Sequence, residues 1–103
     1  MKKSKMYILV KESVPAGKAV VAVAHASLAC YLKFQDTDEM KNWLSGPFYK
    51  TVCNISEEEF ERVKEIERHI VITEYSLNDE EIAIAFCPRE IYPKGFQFYS
   101  LFK

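Results

Sequence analysis

Val14-Pro15-Ala16-Gly17-Lys18-Ala19-Val20-Val21-Ala22-Val23-Ala24-His25-Ala26 follows the strand-like run Tyr7-Ile8-Leu9-Val10-Lys11 and reads as the opening of a nearly all-apolar helix. Two ionisable side chains interrupt its apolar surface, Lys18 and His25, spaced i and i+7. At about 3.6 residues per turn they share one stripe, roughly 10 Å apart along the axis. Lys18 falls in the first turn, where the macrodipole disfavours a cation. An anion bound among the outward-pointing N–H groups of that turn accounts for a lysine set against its local field.

The rest of the chain alternates strand and helix around this unit. Met6 to Lys11 fits a buried central strand, Glu12 to Gly17 a turn punctuated by Pro15 and Gly17, and Lys18 to about Phe34 a helix without internal Gly or Pro. That helix is apolar on most sides, which predicts packing against a sheet on one face and neighbours on others. Asp36 or Thr37 can cap a second helix to about Leu44, closed by Ser45-Gly46-Pro47. Phe48 to Asn54 reads as a strand. Ser56 and Glu59 fit a capping box and Ile55 with Phe60 a hydrophobic staple, so a third helix starts there with Phe60, Val63 and Ile66 on its apolar face.

His69 to Tyr75 is a third strand and Glu81 to Cys87 a fourth, joined by a turn too short for a crossover. The expected fold is therefore α/β, a three-layer α/β/α arrangement over a four-stranded mixed sheet. Its core is parallel and its last strand antiparallel. The closing segment carries Tyr92, Phe96, Phe98, Tyr99, Leu101 and Phe102, too apolar to dangle, and is expected to return across the sheet.

Composition narrows the function. At 103 residues the chain fits one domain, 1–103, large enough for a core of its own. A net charge of −1 argues against a general nucleic-acid binder, so any RNA contact must come from a local patch. No apolar run reaches the length of a membrane span, and the stretch after the basic Met1-Lys2-Lys3-Ser4-Lys5 is too short for a signal peptide. Cys30, Cys53 and Cys87 are odd in number and form no CxxC pair, and the histidines lack zinc-ligand spacing. Reduced thiols in a cytoplasmic protein, with no metal and no cofactor, are the expectation.

In open α/β folds ligands collect at the carboxyl ends of strands. The first and third strands should open onto the same edge. That edge offers Lys11, Glu12 and Gly17-Lys18 from one crossover, and Thr73, Glu74 and Ser76 from the third strand. No serine is paired in sequence with a base, and no covalent nucleophile stands out. Trp43 and the terminal aromatics are read as core packing, and His69 as a solvated residue after the third helix.

Gly17-Lys18, the small apolar run, then Ala24-His25-Ala26 resembles the first helix of the type II peptidyl-tRNA hydrolases. Phe48-Tyr49-Lys50-Thr51-Val52, Thr73-Glu74, Ile82-Ala83-Ile84-Ala85-Phe86-Cys87-Pro88 and the ending Phe98-Tyr99-Ser100-Leu101-Phe102-Lys103 resemble the divergent peptidyl-tRNA hydrolase domain-containing branch. The resemblance spans nearly the whole chain. It implies an α/β fold, a tRNA 3′ end as partner, and metal-independent hydrolysis of the ester joining a peptide to that end. Lys18 would neutralise phosphate or oxyanion, Glu74 would orient or deprotonate the attacking water, and His25 would support them; its place between alanines reads by itself as a structural histidine bonded to a backbone carbonyl. Gly17, Lys11, Thr73 and Ser76 would contact substrate. The chain also departs from the better-known members: Ala16 stands where they carry a second lysine, Ala22 where they carry glutamine, and Glu74-Tyr75-Ser76-Leu77 where they carry Asp-Ala-Gly. A binding module for an RNA end, a nucleotide or a protein therefore stands beside the enzyme reading, as does hydrolysis of another small ester or amide. Exposed parts of the aromatic tail would suit a homodimer surface.

Overall fold

The computed structural model describes residues 3–102; Met1 and Lys2 of the basic stretch and the closing Lys103 lie outside them. Strand β1 (Lys5–Lys11) leads into α1 (Ala16–Phe34) and α2 (Asp38–Leu44), followed by β2 (Tyr49–Ile55), α3 (Glu57–Val63) and β3 (His69–Glu74). A 3-10 turn at Tyr75–Leu77 precedes β4 (Glu80–Phe86), and another at Lys94–Phe98 precedes β5 (Ser100–Leu101). Among the described residues no helix is long and apolar enough to cross a membrane.

The sheet order is β3-β4-β1-β2-β5. Strands β1 and β2 pair in parallel from Lys5↔Tyr49 to Lys11↔Ile55. Strand β4 is antiparallel to both β1 and β3, so β1 and β3 run the same way and their carboxyl ends share an edge. The expected three-strand parallel core is reduced to one parallel pair. The short turn after β3 obliges β4 to lie beside it, and β4 is the strand fit for the middle: Ile82, Ala83, Ile84, Ala85 and Phe86 are wholly buried. The sheet has five strands where four were expected. The fifth, two residues long, pairs Cys53↔Leu101 and Asn54↔Ser100, too short to leave a period-two signal in the sequence.

Strand alternation divides the core. Met6, Ile8 and Val10 pack with Ala19, Ala22, Ala26 and Cys30 of α1 and with Met40 and Trp43 of α2. Tyr7 and Leu9 join Phe60, Val63, Phe86 and Phe96 in a second cluster. Helix α1 turns its small side chains to the sheet and leaves Val20, Val21, Leu28 and Leu32 more than half exposed. The expectation that other elements would cover its outer faces is not met at these four residues, because the inward positions are taken by Ala19, Ala22, Ala26 and Cys30.

Local signals are obeyed at the helix starts. Thr37 and Ser56 accept from the amides of Met40 and Glu59 at 3.2 and 3.1 Å. The Glu59 carboxylate takes Arg62 and the Tyr99 hydroxyl, the latter at 2.8 Å, and so ties the tail to α3.

The alanine stripe can be tested directly. Ala26→Leu, at a site with no exposure, should cost about 1–3 kcal/mol through overpacking. Ala24→Leu on the exposed side should stay within about 0.5 kcal/mol of the parent. Urea denaturation midpoints of the two variants distinguish the faces.

Candidate active site

Helix α1 starts without a side-chain cap. Pro15 occupies the N-cap position with φ −59° and ψ 145°, and no acidic residue lies in the first turn. Pro15 contributes no N–H, and a proline there suits the extended entry into the helix. A Cβ added at Gly17 would meet nothing within 4 Å, so no packing demands glycine there and the helix start stays uncovered.

The one cation in this turn reaches across to the end of β3. Lys18 Nζ donates to Ser76 Oγ at 2.7 Å. Ser76 Oγ in turn donates to Glu74 Oε2 at 2.8 Å, and the Ser76 backbone N–H reaches the same oxygen at 3.1 Å. Three side chains singled out in the sequence thus form one hydrogen-bonded chain. The fold closes it because β1 and β3 share a direction and α1 returns over the sheet between them.

The same chain supplies what sequence adjacency could not show, a serine hydroxyl paired with a carboxylate. Ser76 accepts from the Lys18 ammonium while donating to Glu74, so the hydroxyl links the two charges. The two hydrogen bonds from Ser76, and after them the nearby Lys18 charge, hold the Glu74 carboxyl below the ordinary glutamate range. Glu74 is therefore ionised at neutral pH and can accept a hydrogen bond, or a proton, from water.

Other expected site residues lie elsewhere. Lys11 shares its face of β1 with Tyr7 and Leu9, away from α1. It is 4 % exposed, and its Nζ lies 2.8 Å from Glu57, 3.9 Å from Glu80 and 4.7 Å from the centre of the Phe60 ring. Its charge is already matched, so it is not the open substrate contact expected. Thr73 is exposed, but alternation along β3 sends it with Val71 to the face opposite Ile72 and Glu74.

His25 is exposed on the flank of α1. The structural role expected for it, bonded to a carbonyl, falls to the other histidine: His69 is half-buried, with Nδ1 2.6 Å from the Ile66 carbonyl and its ring edge-on to Phe86. On α1 the alanines 22 and 26 take the inward positions, leaving His25 outside.

The cysteines are buried. Burial pushes the Cys30 thiol up to about 12 and raises those of Cys53 and Cys87, so none supplies a thiolate at neutral pH. Among the described residues no three His, Cys, Asp or Glu side chains cluster as a metal site would require. Tyr75, 88 % exposed beside Glu74 and Ser76, escaped the sequence reading because it ends a β-branched run and looks like strand interior.

A mixed α/β sheet with an uncapped, lysine-bearing helix start facing a strand-end carboxylate defines a class of small α/β proteins with a polar site at the strand ends. The family described as Peptidyl-tRNA hydrolase PTH2 matches residues 4–85, a span that holds Lys18, Glu74 and Ser76. The chain belongs to that family. No curated protein matches it.

The hydrogen-bonded chain has a spectroscopic consequence. A carboxyl whose folded-state pKa is depressed favours folding above its unfolded value, and that contribution is lost as pH falls through the folded one. Carboxyl NMR titration should place the Glu74 midpoint below 4.5, and Ser76→Ala should move it upward by removing the hydroxyl donor. An unchanged midpoint would show that Ser76 does not set the Glu74 charge.

Proposed function

We propose that the protein hydrolyses the ester of peptidyl-tRNA or of an N-blocked aminoacyl-tRNA. The observation that supports this most is the Lys18–Ser76–Glu74 chain at the uncapped start of α1, inside the segment that carries the family match.

Water held against Glu74 attacks the ester carbonyl. A new C–O bond forms, the carbonyl electrons move onto oxygen, and the water proton passes to the carboxylate as attack proceeds. Lys18 lies where an ammonium can offset the oxyanion or the neighbouring phosphate. Charge placed in advance in this way can be worth about 3–4 kcal/mol in a transition state. The tetrahedral intermediate then expels the ribose oxygen, which regains the proton from Glu74. The products are the free peptide acid and a tRNA with an intact 3′ end. Ser76 positions both partners by accepting from one and donating to the other. Tyr75 offers its exposed ring for stacking on an unpaired base at that end.

The alternative reading, a binding module, rests on Glu74-Tyr75-Ser76 standing in place of the family's Asp-Ala-Gly, with Glu74 already engaged by Ser76. Release of peptide from N-acylated aminoacyl-tRNA, measured with chelator present, separates the two. Under the hydrolase reading Lys18→Ala lowers turnover about 100-fold or more and Glu74→Gln by a similar factor, with both proteins folded. Lys11→Met stays within a few-fold of the parent because Lys11 faces the other side of the sheet. A folded parent without turnover, whose RNA affinity falls with Lys18→Ala and with rising salt but not with Glu74→Gln, would establish the binding module instead.

A further inference from the structure

At the other end of the parallel pair lies a cleft of 490 Å³ that the hydrolytic reading does not use. It is lined by Lys3 and Ser4, which precede β1, and by Pro47 and Phe48, which precede β2. The turn to Lys18 leaves from the opposite end of β1. A seven-residue strand covers about 20 Å, so cleft and helix start stand at separate ends of the sheet.

Three aromatic side chains form the wall. Trp43 is buried and fixed, its Nε1 donating to the Tyr49 carbonyl at 2.8 Å. Phe48 meets it edge-on at 5.7 Å between ring centres and remains 49 % exposed, while Tyr49 remains 41 % exposed. Phe48 sits at φ 34°, a left-handed conformation that bulky side chains rarely adopt. Residues held in such conformations concentrate at binding sites. Half-open rings at a strained turn are poorly explained as core.

Cations accompany the rings. Lys3, in the lining, holds its Nζ 5.0 Å from the centre of the Tyr49 ring; Lys50 packs its Nζ 5.8 and 5.7 Å from the Trp43 and Phe48 ring centres but lines a separate pocket with Val20 and Leu101. The polar side chains of Asn42 and Glu90 complete the lining. A planar ring carrying an anionic group matches this set: open aromatic faces for stacking, the Lys3 ammonium for the charge, and an amide and a carboxylate for the polar edge of the ring.

We propose that this cleft binds a nucleoside monophosphate unit, the base against Phe48 and Tyr49 and the phosphate toward Lys3. The site is independent of the hydrolytic reading, since free mononucleotide can bind whether or not any ester is cleaved.

Trp43 is the only tryptophan in the chain and lies in the cleft wall, so its fluorescence reports on occupancy. AMP titrated into the intact protein should give a saturable change, confirmed by calorimetry and weakened by salt. Adenosine and ribose 5-phosphate should each bind more weakly. Phe48→Ala should weaken AMP binding roughly tenfold or more. The surface change Lys3→Glu should weaken it too, even if the Phe48 variant fails to fold, and Lys18→Ala should leave it unchanged. The proposal is overturned by absence of saturable AMP binding, by ribose 5-phosphate binding as well as AMP, or by loss of binding in Lys18→Ala.

Discussion

Contact between the alanine stripe of α1 and the β3, β4 and β1 part of the sheet governs the geometry of everything else. Ala19, Ala22, Ala26 and Cys30 recur at helical spacing and are almost fully buried against β1 and β4. Because they are small, the helix axis lies close to the strands. The helix packs on β3 and β4 as well as β1, and its first turn is thereby brought within reach of the end of β3. A bulkier inner face would lift the helix off the sheet and carry Lys18 beyond hydrogen-bonding range of Ser76. The geometry at this edge thus depends on residues that carry no chemistry themselves.

The two lysines near the end of β1 show how differently one charge can be used. Lys11 is surrounded by Glu57, Glu80 and the Phe60 ring, and removing a partner from such a buried ion would be costly. Lys18, half-buried at an uncapped helix start, meets a neutral hydroxyl first and a carboxylate only beyond it. The first is structural, holding α3 and β4 to β1. The second keeps unspent positive potential at a place where backbone N–H groups add to it.

Much of this fold is legible in the chain because local signals and global needs agree. Thr37, Ser56 and the Gly46-Pro47 break mark helix ends that the structure keeps within a residue or two. The turn after β3 announces the hairpin through its shortness alone. The insertion of β4 between β3 and β1 was not legible, since the order of strands in a sheet is set by burial rather than by local pattern. Nor was β5, whose two residues owe their pairing to β2. At the site, the Lys18 position could be argued from the helix dipole, and Glu74 with Ser76 from the strand end. The side of the sheet on which Lys11 and Thr73 lie could not, because it needs the register. The exchange of roles between His25 and His69 was hidden for a similar reason: an all-apolar helix has no visible inner face.

The brevity of β5 bears on how the molecule behaves among its own copies. Strand β2 would otherwise be an outer strand, with its backbone N–H and C=O groups open to any extended chain. Pairing of Ser100 and Leu101 with Asn54 and Cys53, with the Phe102 amide on the Val52 carbonyl at 2.9 Å, closes part of that row. The Tyr99 hydroxyl on Glu59 keeps the segment in place. The tail is thus a guard against edge-to-edge association. Unpairing of Ser100 to Phe102 would expose Cys53 and the neighbouring backbone to strand exchange while leaving the core strands in place.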